Sequence, residues 1–150
     1  MTEPACIAVS ACLLGARCKY NGGHNQNDAV IAFLRGKAYI PICPEAIALP
    51  TPRPPVEIRD GRVVTASGED RTAAYEAGVA EALERLAGRP ISMAILKARS
   101  PTCGSGAIYD GTFSRRVIPG DGLLAAALKA RGIPVRTEED IEALMKGGDQ

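Results

Sequence analysis

Short apolar runs alternate with longer amphipathic runs along most of the chain. The short runs, which predict buried strands, cover 6–13, 38–45, 91–98 and 133–137. The amphipathic runs, which predict helices, cover 28–36, 67–88, 120–132 and 138–147. Asp28 is the expected N-cap of the first helix, and Gly88 followed by Pro90 ends the longest one.

Two further segments predict β-hairpins. In 56–66, apolar and polar residues alternate around Asp60-Gly61, and 108–118 has the same pattern around Asp110-Gly111. The proline-rich stretch "LPTPRPP" ahead of the first hairpin is expected to be extended. Strands alternating with helices predict an α/β fold, a Rossmann-like layer in which helices flank a mostly parallel sheet, with the two hairpins as additions. We find no repeat or boundary and expect a single domain over 1–150.

Composition and charge narrow the function classes. The chain has 150 residues, 46% of them hydrophobic, and a net charge of +1, which argues against a nucleic-acid partner and favours a small substrate. The N-terminal "MTEPACIAVSACLLG" lacks the basic region of a signal peptide, and no run reaches the ~18 apolar residues of a membrane span. We therefore expect a cytoplasmic protein that does not enter membranes. The sequence gives no indication of its oligomeric state.

The cysteines are the main candidates for chemistry. There are five, an odd number, and in a reducing compartment they point to metal binding or catalysis rather than to disulfides. Cys12, Cys43 and Cys103 each lie at or just beyond the carboxyl end of a predicted strand, and ligands bind at such ends in parallel sheets. Three converging thiolates would make a metal or cluster site with one open position.

Plain packing is the competing interpretation, because cysteine is among the most buried residue types. Polar or conformationally special neighbours accompany Cys12, Cys43 and Cys103, namely serines, prolines, a glycine and a glutamate. Cys6 has no such neighbours, and we assign it to the core.

Six short motifs occur in a fixed order: "VSACLLG", "CKYNGGHN", "CPE", "LPTPR", "ILKARSPTCG" and "YDGTF". Together they resemble a family once known only as a domain of unknown function, whose characterised members are thiouracil desulfidases. The resemblance runs from Val9 to about Phe113 and more loosely to the C-terminus. Each motif alone is weak, but the ordered set is specific.

The resemblance implies a 4Fe–4S cluster held by Cys12, Cys43 and Cys103, with no protein ligand on the fourth iron. It also implies catalytic roles for Glu45 in "CPE" and Ser100 in "SPTC". One departure is that Ala46 and Ala48 stand where many relatives carry glycines. These two alanines are expected to narrow the pocket or to shift the neighbouring carboxylate, which bears on substrate range.

The implied activity is non-redox desulfuration of a thiolated pyrimidine, giving the oxo base and hydrogen sulfide. A soft thiocarbonyl sulfur suits a thiolate-rich iron site, where the C=S bond would be polarised. Glu45 would act as general base, or as general acid and base, on a water oriented by Ser100. The sequence does not distinguish a free base from a nucleoside or an RNA base.

Two alternatives remain at this point, and the first depends on Cys18, six residues after Cys12. If Cys18 bound the fourth iron, the site would be closed, as in an electron carrier or redox sensor. We favour a spare thiol beside the ligands. The second alternative is a cluster-free sulfur carrier that forms a persulfide on one exposed cysteine.

Four other residues have two interpretations each. His24 is either a solvated loop histidine or a substrate contact, and Arg53 either binds an anionic or carbonyl group or forms a surface salt bridge. Tyr109 and Phe113 either stack on a flat base or pack across the hairpin.

Overall fold

The computed structural model describes residues 5–147. In chain order its elements are β1 (Cys6–Ser10), a 3-10 helix (Ala11–Leu14), α1 (Asp28–Leu34), β2 (Tyr39–Ile42), α2 (Pro44–Ala48), β3 (Val56–Arg59), β4 (Arg62–Thr65), α3 (Thr72–Leu86), β5 (Ile91–Leu96), β6 (Ala107–Tyr109), β7 (Val117–Pro119), α4 (Leu123–Ala130), β8 (Val135–Thr137) and α5 (Glu138–Gly147). No helix within 5–147 is long and apolar enough to cross a bilayer. Residues 1–4, which belong to the N-terminal segment expected not to be a signal peptide, lie outside the described part.

The central sheet has four parallel strands in the order β2-β1-β5-β8. Every residue of β1 is buried, as expected of a parallel strand covered on both faces. On one face the sheet packs against α3 and α4 through residues such as Val79 and Leu128. On the other it packs against α1 and α5 through Val30 and Ile141. The predicted α/β fold, with helices flanking a parallel sheet, is confirmed.

The two hairpins are also confirmed, although the second closes differently from the prediction. In β3-β4, Arg59 pairs with Arg62 across a two-residue turn in which Asp60 and Gly61 both have positive φ. In β6-β7, the connection is the longer segment 110–116, so the predicted tight turn at Asp110-Gly111 is wrong.

Contacts with β3 explain the longer connection of the second hairpin. The Gly111 N–H donates to Glu57 Oε1 at 3.0 Å, and the Gly111 carbonyl accepts from the Arg59 guanidinium. The loop is thus held against the first hairpin by contacts distant in sequence.

Among the predicted boundaries that differ in the structure, three have a clear local cause. The first helix is capped by Asn27, whose side chain accepts from the Val30 N–H at 3.0 Å, and not by Asp28. The strand predicted over 38–45 ends at Ile42, and α2 begins at Pro44, a residue suited to the first helical turn. The helix predicted over 67–88 begins only at Thr72, because the preceding segment folds back on β4.

Candidate functional site

A cavity of about 570 Å³ lies at the carboxyl end of the central sheet. Four cysteines line it: Cys12, Cys18, Cys43 and Cys103. Cys6 is buried at the opposite end of β1, in line with its assignment to the core.

Sheet topology brings three of these cysteines together. Cys12 lies in the 3-10 helix after β1, Cys43 lies between β2 and α2, and Cys103 lies in the turn after β5. Because β2, β1 and β5 are adjacent and parallel, their carboxyl ends meet at one edge of the sheet. The structure therefore places the three predicted ligands at one cavity although they are far apart in sequence.

The turn that carries Cys103 is organised by the side chain of Ser100. Ser100 Oγ accepts backbone N–H groups from Thr102 at 3.1 Å and from Cys103 at 3.0 Å. The Gly104 N–H donates to the Ser100 carbonyl at 2.8 Å. A hydroxyl that accepts from the next turn of backbone is a common turn-forming device. The sequence "SPTCG" thus folds into a fixed loop around one serine oxygen.

The start of α4 holds this loop from the other side. The N–H groups of Leu123 and Leu124 donate to the carbonyls of Pro101 and Thr102. Gly122 is required for this close approach, because a Cβ there would lie 2.5 Å from the carbonyl carbon of Thr102. The first N–H groups of a helix have no partner within the helix, and here they donate to the carbonyls of the loop.

Glu45 projects from α2 toward the same loop. Its Oε2 accepts from Ser100 Oγ at 3.0 Å and lies 3.1 Å from Thr102 Oγ1. The position of α2 is set by α3, since a Cβ at Gly78 would lie 2.4 Å from the Pro44 carbonyl oxygen. The two residues predicted to be catalytic are therefore in direct contact.

Arg53 is buried in the wall of the cavity, with a side chain only 3% exposed. It therefore does not form the surface salt bridge that was one of its two interpretations. Its Nη2 donates to the Cys18 carbonyl at 2.7 Å and lies 3.8 Å from Glu45 Oε1, and its Nη1 donates to Thr51 Oγ1. Its Nε and the hydroxyl of Tyr75 are the two buried side-chain N or O atoms of the described residues that have no hydrogen-bond partner. Burial raises the pKa of Tyr75 to about 12.

The thiols differ in how readily they ionise. The pKa of Cys12 is lowered, chiefly by a hydrogen bond from Cys18, and Asn25 Nδ2 adds a second donor at 3.5 Å. A hydrogen bond from Cys18 likewise lowers the pKa of Cys43 to about 7. The pKa of Cys18 is raised because it keeps the proton that it shares with these two sulfurs. Burial raises the pKa of Cys103 to about 12, against hydrogen bonds from Ser10 and Thr102.

Two of the remaining candidates lie at the cavity and one does not. Tyr109 and Phe113 line it, as the stacking interpretation requires. His24 is exposed, and its Nδ1 accepts from the Gln26 N–H at 3.1 Å. Neither Ala46 nor Ala48 is among the residues between 5 and 147 that line the cavity.

Sequence reasoning missed Glu57 and Thr102, both of which line the cavity. Glu57 accepts N–H groups from Gly111 and Phe113 and so fixes the loop that carries the aromatic ring. Thr102 contacts both Glu45 and the sulfur of Cys103. Neither residue lies in a pattern that distinguishes it from an ordinary strand or turn residue.

The donor set of the cavity suits a cluster better than a single ion. No group of three or more His, Cys, Asp or Glu side chains within 5–147 converges closely enough to hold one metal ion. In an iron–sulfur cluster each thiolate binds a different iron, so the sulfurs stay apart. Soft sulfur donors spread around a wide cavity fit that requirement.

Comparisons with known proteins point in the same direction. The family model for 2-thiouracil desulfurase matches residues 7–140. An uncharacterized protein of Bacillus subtilis, YbbK, is 40% identical over 150 residues, which cover 93% of this chain and 99% of that protein. The solved structure of TudS, a 4Fe–4S-dependent thiouracil desulfidase, is 38% identical, with a TM-score of 0.83 over 98% of this chain and 99% of TudS.

Proposed function

The chain belongs to the 2-thiouracil desulfurase family, and we propose that it is an iron–sulfur-dependent enzyme that converts thiouracil and water to uracil and hydrogen sulfide. The single observation that carries this proposal is the convergence of Cys12, Cys43 and Cys103 with Glu45 and Ser100 at one cavity. The family match and the TudS likeness support the same chemistry.

Cys12, Cys43 and Cys103 would hold a 4Fe–4S cluster, leaving one iron without a protein ligand. When bound, the cluster supplies a soft Lewis acid for the thiocarbonyl sulfur, which polarises the C=S bond toward attack at carbon. The hydrogen bonds from Cys18 and Asn25 favour the thiolate form that Cys12 needs for this role.

Glu45 is the proton carrier in this proposal. Its Oε2 already lies beside two hydroxyl groups, whereas Oε1 has one guanidinium contact at 3.8 Å. Oε1 is therefore the oxygen free to take a proton from water as the water attacks the ring carbon. Glu45 then returns that proton to the departing sulfur and takes the proton of the added hydroxyl as the new C=O bond forms. This second proton also passes to the sulfur, so both water hydrogens leave as hydrogen sulfide and no net electron transfer occurs.

Ser100 contributes by holding Glu45 rather than by holding water. Its oxygen accepts two backbone N–H groups, which use both lone pairs, and its one proton points to Glu45 or Thr102. A water molecule would find no free site on this hydroxyl in the present arrangement. Tyr109 and Phe113 supply apolar faces on which a flat pyrimidine can stack.

Cys18 is proposed as a protonated thiol that donates its one hydrogen bond to Cys12 or to Cys43, not as a fourth ligand. The electron carrier and the cluster-free sulfur carrier are not favoured. Neither alternative gives a role to the Glu45 carboxylate and its hydroxyl partners, which face the cavity. We place the enzyme in the cytoplasm, where free thiols persist, and propose a small thiolated pyrimidine and no nucleic acid as its partner.

The experiment is anaerobic reconstitution with iron and sulfide, followed by sulfide release from 2-thiouracil, 4-thiouracil and their nucleosides. Cys6→Ala is the matched control, because this thiol lies away from the cavity. Sulfide release that requires bound iron supports the proposal. A fully loaded protein that releases no sulfide from any of these compounds contradicts it.

A further inference from the structure

The hydroxyl of Thr102 lies between the two proposed catalytic residues, Glu45 and Ser100, and the sulfur of Cys103. Thr102 is fully buried, with 0% of its surface exposed. Its Oγ1 lies 3.1 Å from Glu45 Oε2, 3.1 Å from Ser100 Oγ and 3.6 Å from Cys103 Sγ. It is thus in reach of a carboxylate, a hydroxyl and a thiol at once.

A count of protons and lone pairs restricts where Thr102 donates. Each hydroxyl has one proton and two acceptor sites. Both acceptor sites of Ser100 are used by backbone N–H groups, so Thr102 cannot donate to Ser100. The Thr102 proton therefore goes either to Glu45 Oε2 or to the sulfur of Cys103.

The charge on the sulfur decides between these two acceptors. Glu45 Oε2 has Ser100 as a second donor, so it keeps a hydrogen bond whichever way Thr102 points. Cys103 is buried, and its thiolate form needs donors to offset the loss of hydration. A hydrogen bond to a charged sulfur is also stronger than one to a neutral thiol.

Resting on the proposed function, we propose that Thr102 is a positioning residue that donates to the Cys103 sulfur in the cluster-loaded enzyme and leaves Ser100 as the donor to Glu45. The same hydroxyl also lies 3.1 Å from Glu45 Oε2, so a change of acceptor needs no movement of the backbone. Cluster loading and the hydrogen bonding of the catalytic carboxylate are thereby coupled through one hydroxyl.

Two substitutions separate the hydroxyl from the shape of the side chain. Thr102→Val keeps the β-branched shape and removes the hydroxyl, whereas Thr102→Ser keeps the hydroxyl and removes a methyl group. Thr137→Val is the control, because Thr137 is also buried but does not line the cavity.

The readouts are iron content and the reduction potential of the reconstituted protein, measured without thiouracil, and then kcat and KM for sulfide release. Hydrogen bonds to cysteine sulfur are one of the factors that set cluster potentials, and they favour the more negative reduced state. We expect Thr102→Val to have a lower potential and a severalfold lower kcat with little change in KM. Thr102→Ser should restore both values, and Thr137→Val should match the wild type.

The outcomes separate this inference from the proposed function. A wild-type reduction potential in fully loaded Thr102→Val overturns the inference. An equal change of potential or kcat in Thr102→Ser also overturns it, because that variant keeps the hydroxyl. Loss of iron in Thr102→Val with retention in Thr102→Ser supports it, since the effect follows the hydroxyl. Loaded wild-type protein without sulfide release overturns the proposed function alone, and wild-type protein that takes up no iron overturns both.

Discussion

The hydroxyl of Ser100 donates to Glu45 Oε2 at 3.0 Å, although the two residues lie 55 positions apart in the sequence. Glu45 follows β2, and Ser100 follows β5. These strands flank β1, whose own extension carries Cys12. The contact therefore joins the segments that follow β2 and β5, on either side of β1, in the wall of the cavity that the cysteines line.

The ligand set is tested by single alanine substitutions. Cys12→Ala, Cys43→Ala and Cys103→Ala should each abolish stable cluster binding, because two remaining thiolates hold a cluster poorly. The measurement is iron and acid-labile sulfide per chain after anaerobic reconstitution. Cys6→Ala should load fully, and full iron content in any of the other three variants would remove that cysteine from the set.

Cys18 is tested by Cys18→Ser. A serine hydroxyl still offers one proton to the Cys12 or the Cys43 sulfur, so both cluster content and sulfide release should remain near those of the wild type. Iron content and turnover are measured on the same preparation. Loss of both together would show that Cys18 binds the fourth iron and that the site is closed.

The fold and the convergence of the three cysteines at one edge of the sheet could be predicted from the sequence, because both follow from the order of the strands. Cys12, Cys43 and Cys103 each lie at or just beyond the end of a predicted parallel strand, and such strand ends share one edge. The sequence did not predict the Glu45–Ser100 contact from spacing, because that contact depends on α2, a helix of only five residues. So short a helix shows no apolar period in the sequence.

The burial of Arg53 and Thr102 could not be predicted from the sequence, for a different reason. Arg53 lies in a proline-rich stretch that indicates an extended segment, yet its guanidinium is buried against the Cys18 carbonyl. Thr102 looks like any residue of a serine–proline turn, and only the packing of α4 buries it completely. Burial of polar residues in loops depends on tertiary contacts that no local pattern records.

Chemistry and assembly are separated by variants of Glu45 and Ser100. Glu45→Gln keeps the size of the side chain but cannot take a proton, so it should retain iron and lose roughly a hundredfold or more in kcat. Ser100→Ala should also retain iron, with a smaller loss, because the Glu45 carboxylate is still present and loses only the hydrogen bond that positions it. Sulfide release is measured alongside iron content. Wild-type turnover by fully loaded Glu45→Gln would place water activation elsewhere.

Arg53 is expected to support the site structurally. Arg53→Ala removes the donor to the Cys18 carbonyl and the positive charge beside Glu45. It should lower the free energy of unfolding by about 1–3 kcal/mol, since a buried acceptor loses its partner. The measurement is urea unfolding of the iron-free protein.

The matched control for Arg53 is Arg62→Ala. Arg62 pairs with Asp70 at 2.8 Å, but its side chain is 59% exposed. Exposed ion pairs contribute about 0–1 kcal/mol, so this variant should unfold close to the wild type. Equal stability of the Arg53 and Arg62 variants would mean that the buried guanidinium does not support the loop that carries Cys18.

Non-redox desulfuration is tested most directly by a product balance on the reconstituted enzyme in the absence of any electron donor or acceptor. Thiouracil is supplied in excess under anaerobic conditions, and uracil and hydrogen sulfide are measured over many turnovers. We expect equal amounts of the two products, formed only by the iron-loaded protein. Turnover that requires a reductant, or equal turnover by the iron-free protein, would contradict non-redox desulfuration at a cluster held by Cys12, Cys43 and Cys103.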